Sequence, residues 1–493
     1  MGMNGNGHVA LGPRTLARVE GWGMAVDALA HRVFPQTAEQ VADALALARR
    51  KGLPVAFRGA GRSYGDAATR EGGLVVDLSR FNRILAWDPA TGIIETEPGV
   101  TIEQLWKHVI ADGYWPPVVS GTMFTTMAGC AAMNIHGKNN YCAGPFGENV
   151  LDFDLMLADG SIVACSREQN ADLFHAAIAG FGMLGCFTRL RLEMKKVHSG
   201  LLWVEAFTTP SLDGMVEEFE DRLEQSDYLV GWVDCTAGGR GLGRGVVHQA
   251  KYRAPGEDAR PADTLNVAAQ ELPSKLFGVV PKSLMWLPLS FFTNNLGMRC
   301  VNTGKYLASR CVTPRGERYL QPHAAFAFLL DYVPGWKNAY RPLAGDARGC
   351  GLIQYQSFLP RENAPRVHET LVRMARRAGM PSYLGVFKKH RPDAFLMTHA
   401  LDGYSLALDF KVTARNRRAL WALCHQMDEV VLDNGGKFYF AKDATLRAGA
   451  VERFIPPANL AAFLALKERC DPGNLLQTDL SRRLLGERPA AAR

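Results

Sequence analysis

Apolar and polar positions along the chain fall into helical and strand periods that alternate from residue 35 onward. Residues 35–50 put Val41, Leu45 and Ala48 on one helical face, with Thr37 placed to cap its start. Residues 53–57 form a short apolar run and read as a buried strand, as do residues 73–78. Residues 93–98 alternate with period two, and Thr101 opens a helix through His108. Asp159 and Gly160, set between two apolar runs, predict a hairpin. Residues 171–178 suit a short helix and residues 188–194 a strand. The pattern predicts an α/β or α+β domain.

Composition shifts after about residue 196. Strands are predicted at 203–208, 228–235, 351–359, 382–387 and 404–410, with helices at 362–378 and 415–434. Gly435 and Gly436 end the last helix. Residues 237–325 are rich in Gly, Pro and Asn and weakly periodic. These elements predict a second α+β domain. The apolar stretch 276–292 is interrupted by Pro281, Lys282 and Pro288 and is too broken to span a bilayer. It is expected to be a core segment, ahead of a mobile lid or a membrane-facing patch.

Composition narrows the function classes. Hydrophobic residues make up 47% and charged residues 21% of 493, which fits a globular chain with more than one core. The net charge of +7 comes in short basic pairs, so no nucleic-acid stripe is present and nucleic acid is not an expected partner; anionic ligands remain compatible. Ten scattered cysteines form no Cys-x-x-Cys and no Cys/His zinc spacing, which predicts reduced thiols and no metal site. The N-terminus lacks a signal-peptide pattern, so the expected location is cytoplasmic, at most peripheral at the inner membrane. Residues 1–13 and 487–493 are expected to be disordered.

Several segments carry candidate chemistry. Arg58, Gly59, Ala60, Gly61, Arg62, Ser63, Tyr64, Gly65 and Asp66 follow a predicted strand. Three glycines in seven residues let backbone approach a ligand and suit an anion nest for a diphosphate. Gly180 to Gly185 matches Gly-x-Gly-x-x-Gly, but a helix precedes it and a strand follows, the reverse of a nicotinamide-binding turn. Residues 121–140 are dense in small residues that permit contact with a flat ring, followed by His136 and Lys138, which supply proton or charge chemistry. Gln354 and Gln356 share one strand face, which suits either hydroxyl binding or solvation. Lys388, and Lys442 after an aromatic strand, are further candidates. No Gly-x-Ser-x-Gly elbow, His-Glu-x-x-His or P-loop is present.

In this order, with Pro98, Gly99 and Val100 between the glycine loop and Gly121-Thr122, these segments resemble the vanillyl-alcohol oxidase superfamily of FAD enzymes. Within it the chain is similar to the branch that oxidises the 2′-hydroxyl of a decaprenylphosphoryl ribose. The similarity rests on residues 61–66, 135–139, 145–147, 354–356, 386–388, 409–410, 441–443 and 479–484. It implies an α+β fold, a two-part FAD-binding domain with an inserted substrate domain built on an antiparallel sheet. The FAD-binding domain would cover 14–196, the substrate domain 197–436, and a C-terminal return 437–486. FAD would be held by Phe57 and residues 58–66, by Gly121, Thr122, Thr126, Met127, Ala128, Gly129, Met133, Asn134, Ile135 and His136, and by Phe187 and Tyr439.

The resemblance further implies that Tyr64, His136, Lys138, Gln354, Gln356 and Lys388 face the reacting sugar, with Lys442 near flavin and substrate. Many members carry a histidine that bonds covalently to the flavin; Arg62 stands at that position, so FAD is expected to be non-covalent. Ala407 stands where the branch has a cysteine. The implied reaction is oxidation of a secondary sugar hydroxyl to a ketone by hydride transfer to flavin N5, on a polyprenyl-phosphate-linked pentose, in cell-envelope (cell wall) sugar epimerisation. A short-chain reductase partner and peripheral membrane contact follow from the same resemblance. The alternative is an aldonolactone, alditol or free-sugar oxidase or dehydrogenase of the superfamily.

Overall fold

The computed structural model describes residues 11–276, 279–312 and 317–486; of the segments expected to be disordered, 1–10 and 487–493 lie outside these, while residues 11–13 are described and Pro13 opens a short helical turn through Thr15. Two small sheets form the N-terminal part. In the first, strands Leu16–Glu20, Asp27–Val33, Leu74–Asp77 and Val55–Arg58 lie side by side, the last three mutually parallel. Helix Ala38–Lys51 joins two of them. Thr37 accepts a hydrogen bond from the Gln40 amide, the buried face carries Val41, Ala44, Leu45 and Ala48, and Gly52 ends the helix with φ +64°. The second sheet is antiparallel: Ile84–Asp88, Ile93–Thr96, Cys186–Glu193, Val150–Met156 and Ile162–Ser166. Its hairpin turns at Asp159-Gly160 as the sequence predicts, and Thr101 caps helix Ile102–Val109 with a reciprocal Gln104 bond.

Residues from 201 onward build an eight-stranded antiparallel sheet. Its spatial order is Tyr319–Pro322, Leu201–Thr209, Gly245–Tyr252, Tyr228–Val233, Leu384–His390, Gly403–Val412, Gly351–Pro360 and Lys437–Phe438. Helices Leu212–Glu220, Ala364–Arg377 and Arg417–Asp433 pack together and against these strands. Leu371, Phe387, Leu406 and Met427 meet in that core, each removed from water and contributing about 1.5–3 kcal/mol. After Phe438 the chain returns to the N-terminal sheets. Leu476 bridges Val55, and Arg483 pairs with both Asp66 and Asp443 at 2.8 Å.

The structure corrects one expectation. The stretch 276–292 is not core: Phe291 is 72% exposed, and Leu284, Leu287 and Phe292 also face outward. Phe277 and Gly278 lie outside the described residues. Pro281 ends the two-residue strand Val280–Pro281, a turn at Lys282–Leu284 follows, and Pro288 sits in the first turn of the short helix Trp286–Phe292, so no element here is long enough to bury both faces. No helix among the described residues is long and apolar enough to cross a membrane.

Candidate active site

A cavity of about 450 Å³ lies between the N-terminal sheets and the open face of the large sheet. The glycine loop 57–64 forms one wall, directly after strand Val55–Arg58. Gly61 takes φ +64°, and a side chain there would run into the Arg58 guanidinium; one at Gly59 would run into the Thr126 hydroxyl. Backbone therefore faces the cavity. Gly121, Thr122, Thr126, Ala128, Gly129, Met133, Ile135 and Phe187 line it as well, with Tyr439 at one side. The Thr126 hydroxyl and Arg62 Nε are buried without a hydrogen-bond partner in the protein. Bare glycine backbone, small side chains and unpartnered donors fit the flat rings and diphosphate of FAD.

Four residues expected at the cofactor are engaged elsewhere. Asp66 accepts two bonds from Arg483, at 2.8 and 2.9 Å. Gly65 packs its backbone on Asp443, and Met127 is buried in the core. Asn134 donates to Asp393 at 3.1 Å and accepts from the Gly147 amide at 2.9 Å. Arg58 lines the cavity, but its guanidinium donates to the Glu20 carbonyl at 2.9 Å, and burial lowers its pKa to about 10. Arg62 lies over the Trp22 ring at 4.2 Å and the Phe124 ring at 4.9 Å. Thr122 and the Met123 amide donate to the two oxygens of Asp331, at 2.8 and 2.7 Å, and the Leu330 amide donates to the Gly121 carbonyl.

Strand register assembles the opposite wall. In an antiparallel sheet, residues directly opposite one another share a face. Gln354 pairs with Asp409, Gln356 with Ala407, Val386 with Ala407 and with Trp232, Lys388 with Ser405, and Val230 with His248. One face therefore carries both glutamines, Asp409, Ser405, Lys388 and His248, with Ala407 among them. Lys138, Lys305 and Lys442 reach the same cavity from outside the sheet.

Several lysines line this side of the cavity, and among the described residues a single carboxylate, Asp409, stands on the same sheet face next to them. Asp409 is fully buried and its Oδ1 accepts from Gln354 at 2.6 Å. Burial pushes its carboxyl up to about 7, against the Gln354 bond and the Lys442 charge. Burial likewise lowers Lys442 to about 7, against the attraction of Asp409. Lys442 Nζ stands 4.0 Å above the Tyr64 ring. Desolvation lowers Lys388 to about 8 and Lys138 to about 7, the latter while it donates to the Phe326 carbonyl.

A hydrogen-bond chain fixes the histidines. The Arg391 amide donates to Asn140 Oδ1, so His390 Nδ1, 3.1 Å from that oxygen, carries a proton. Burial keeps His390 and His136 neutral, well below 6.5. His390 Nε2 then accepts from Ser405 Oγ at 2.7 Å, and Ser405 accepts from Gln356 Nε2 at 3.2 Å. Gln356 also donates to His136 Nε2 at 3.2 Å, which leaves the His136 proton on Nδ1, 3.5 Å from Lys388 Nζ. That arrangement suits Lys388 as a neutral amine.

The sequence reading singled out the Gln354 and Gln356 face but assigned no role to Ser405, His390, His248 or Lys305. The period-two series Ser405, Ala407, Asp409 was the available signal for the first of these and for Asp409's place opposite Gln354. His248 and Lys305 lie in the weakly periodic region, where no signal marked them.

The FAD binding domain family matches residues 29–166. Decaprenylphosphoryl-β-D-ribose oxidase of Mycolicibacterium smegmatis is 29% identical over 482 residues, 96% of this chain and 98% of that one. A Neurospora crassa protein provisionally named D-arabinono-1,4-lactone oxidase is 27% identical over 201 residues, 41% of this chain and 35% of that one. Cytokinin dehydrogenase 7 of Oryza sativa is 32% identical over 160 residues, 31% of this chain and 30% of that one.

Proposed function

We propose, from the premise that this chain is an FAD-dependent oxidoreductase of the vanillyl-alcohol oxidase superfamily, that it oxidises a secondary hydroxyl of a polyprenyl-phosphate-linked pentose to the ketone. The observation that carries this reading is the cavity wall itself: two amides and lysines of lowered pKa facing a glycine-lined cradle, with one buried carboxylate bonded to Gln354 next to them. Similarity to the ribose oxidase over 96% of the chain supports the substrate class.

Converting a secondary alcohol to a ketone removes a proton from oxygen and two electrons with hydrogen from carbon. FAD, when bound, supplies the electron acceptor. The residues of the chain do the rest. Gln354 and Gln356 orient sugar hydroxyls, Lys442 as a neutral amine takes the hydroxyl proton, and Asp409 holds the resulting ammonium. Lys305, set over Trp232 at 4.3 Å, supplies the positive charge that suits a phosphate, with Lys138 and Lys388 beside it as hydrogen-bonding groups. A short-chain reductase that consumes the ketone, working beside a membrane, completes this reading.

Anaerobic flavin bleaching tests it across a panel of farnesylphosphoryl ribose, free ribose, an alditol and an aldonolactone. Preferential bleaching by the phospholipid sugar supports the reading. Equal or faster bleaching by a free sugar, alditol or lactone replaces it with the corresponding oxidase. Lys305→Met should raise KM for the phosphorylated sugar about tenfold and leave a neutral sugar unchanged.

A further inference from the structure

Among the described residues, fifteen of the nineteen exposed large apolar side chains fall between Val279 and Leu343. The same interval, about an eighth of the chain, carries eight Lys and Arg against two Asp and Glu, a balance of +6 out of +7 for the whole sequence. Part of that charge is engaged inside the molecule: Lys282 is buried, Lys305 lines the cavity, Lys337 donates to the Trp22 carbonyl, and Arg318 and Arg341 pair with Glu205 and Glu20, while Arg299 and Arg310 stand beside the exposed apolar groups.

Helix Asn295–Val312 in this interval is amphipathic the wrong way round for a helix that faces water. Its inward side carries polar anchors beside Met298 and Tyr306, which pack on the protein. Asn302, 3% exposed, donates to the Tyr383 carbonyl at 3.3 Å, and Thr303 accepts from Arg244 at 3.0 Å. Asn295 accepts from the Tyr383 hydroxyl at 2.9 Å. Its outward side presents Leu296 (74% exposed), Leu307 and Val312 (72%), along with exposed Arg299 and Arg310, and the helix contains no acidic residue. Helix Trp286–Phe292 packs beside it with Phe291 and Phe292 outward. Polar anchors on the protein side fix this orientation, so the apolar face is not a core face lacking a neighbour.

The same helix reaches the cavity through Lys305, and the neighbouring turn Leu329–Asp331 reaches it through Leu329, itself an exposed apolar residue. Helix and turn thus contribute both to the exposed apolar surface and to one side of the site. We propose that this face docks on an anionic lipid bilayer, Phe291 and Leu296 entering the acyl boundary while Arg299 and Arg310 meet headgroup phosphates. Two observations favour a bilayer over a second copy of this chain. The face mixes apolar groups with like charges, which repel across a self-complementary contact. Exposed Arg299 and Arg310, on a helix without an acidic residue, also complement acidic headgroups. The inference takes its purpose, delivery of a lipid-linked sugar, from the proposed function, but its physical basis is independent of turnover.

Flotation of the FAD-loaded protein with vesicles of phosphatidylcholine alone, and with vesicles that include phosphatidylglycerol, tests it. The expected result is recovery with the acidic vesicles, weakened by salt. A double variant, Phe291→Asp with Leu296→Asp, should reduce that partition at least about tenfold, because two large apolar groups leave the lipid phase. Its flavin spectrum and bleaching by a water-soluble sugar should be unchanged, which separates lost docking from lost folding. Wild-type protein left below the acidic vesicles would overturn the inference, as would a double variant that floats equally well. So would sedimentation showing a dimer that the double variant abolishes. Vesicle binding without oxidation of any phospholipid sugar would retain this inference and remove the proposed function; the opposite pair of results would do the reverse.

Discussion

Lys442 and Asp409 come from different parts of the chain, and burial drives both toward neutrality. If Lys442 accepts the proton, it must be neutral before the reaction, so the rate of flavin bleaching should rise with pH through about 7 and level off above it. The Asp409 charge raises the Lys442 pKa. Removing it in Asp409→Asn should therefore move the acid limb to lower pH, measured by stopped-flow bleaching across pH. An unmoved limb would separate the two groups. Lys442→Met should keep its flavin and bleach about 10²–10⁴-fold more slowly. At Arg62, held between Trp22 and Phe124, no imidazole is present to bond the flavin. Acid precipitation should accordingly release all the yellow colour into the supernatant; colour retained in the pellet would contradict non-covalent binding.

Elements with strong period, such as helices Ala38–Lys51 and Arg417–Asp433 and strand Gly351–Pro360, stand within a few residues of their predicted bounds. Each helix turns its buried apolar positions to one core cluster, and the strand buries apolar residues on both faces, so local pattern and tertiary packing agree. Strand Gly245–Tyr252 and helix Asn295–Val312 escaped prediction for opposite reasons. The strand is buried almost throughout and shows little alternation, and the helix carries its apolar residues on the outer side. Gln354 and Gln356 were legible because two residues on one strand need no register. The Gln354–Asp409 contact was not, since it depends on how two distant strands align. The C-terminal helix Asp479–Leu485 is tied down by Arg483, which neutralises the buried carboxylates of Asp66 and Asp443. Arg483→Met would leave both without their cation and should cost about 3–5 kcal/mol, read by denaturant unfolding of the FAD-loaded protein.

Over the whole molecule, the cavity is built where two independently patterned regions meet, with the cradle from the N-terminal sheets and the polar wall from the eight-stranded sheet. Composition gave no sign of which apolar residues would stay outside a core; the exposed face between Val279 and Leu343 is visible only once the polar anchors of its main helix are located. Asp331 has a consequence at this scale. Its carboxylate accepts from Thr122 and the Met123 amide, and the Leu330 amide next to it donates to the Gly121 carbonyl, so the outer turn is tied to the rim of the flavin cradle. A load placed on that turn reaches the isoalloxazine environment directly. The protein's own colour should then serve as a gauge of what touches its surface, with a shift in the visible spectrum on adding acidic vesicles that Asp331→Asn would blunt.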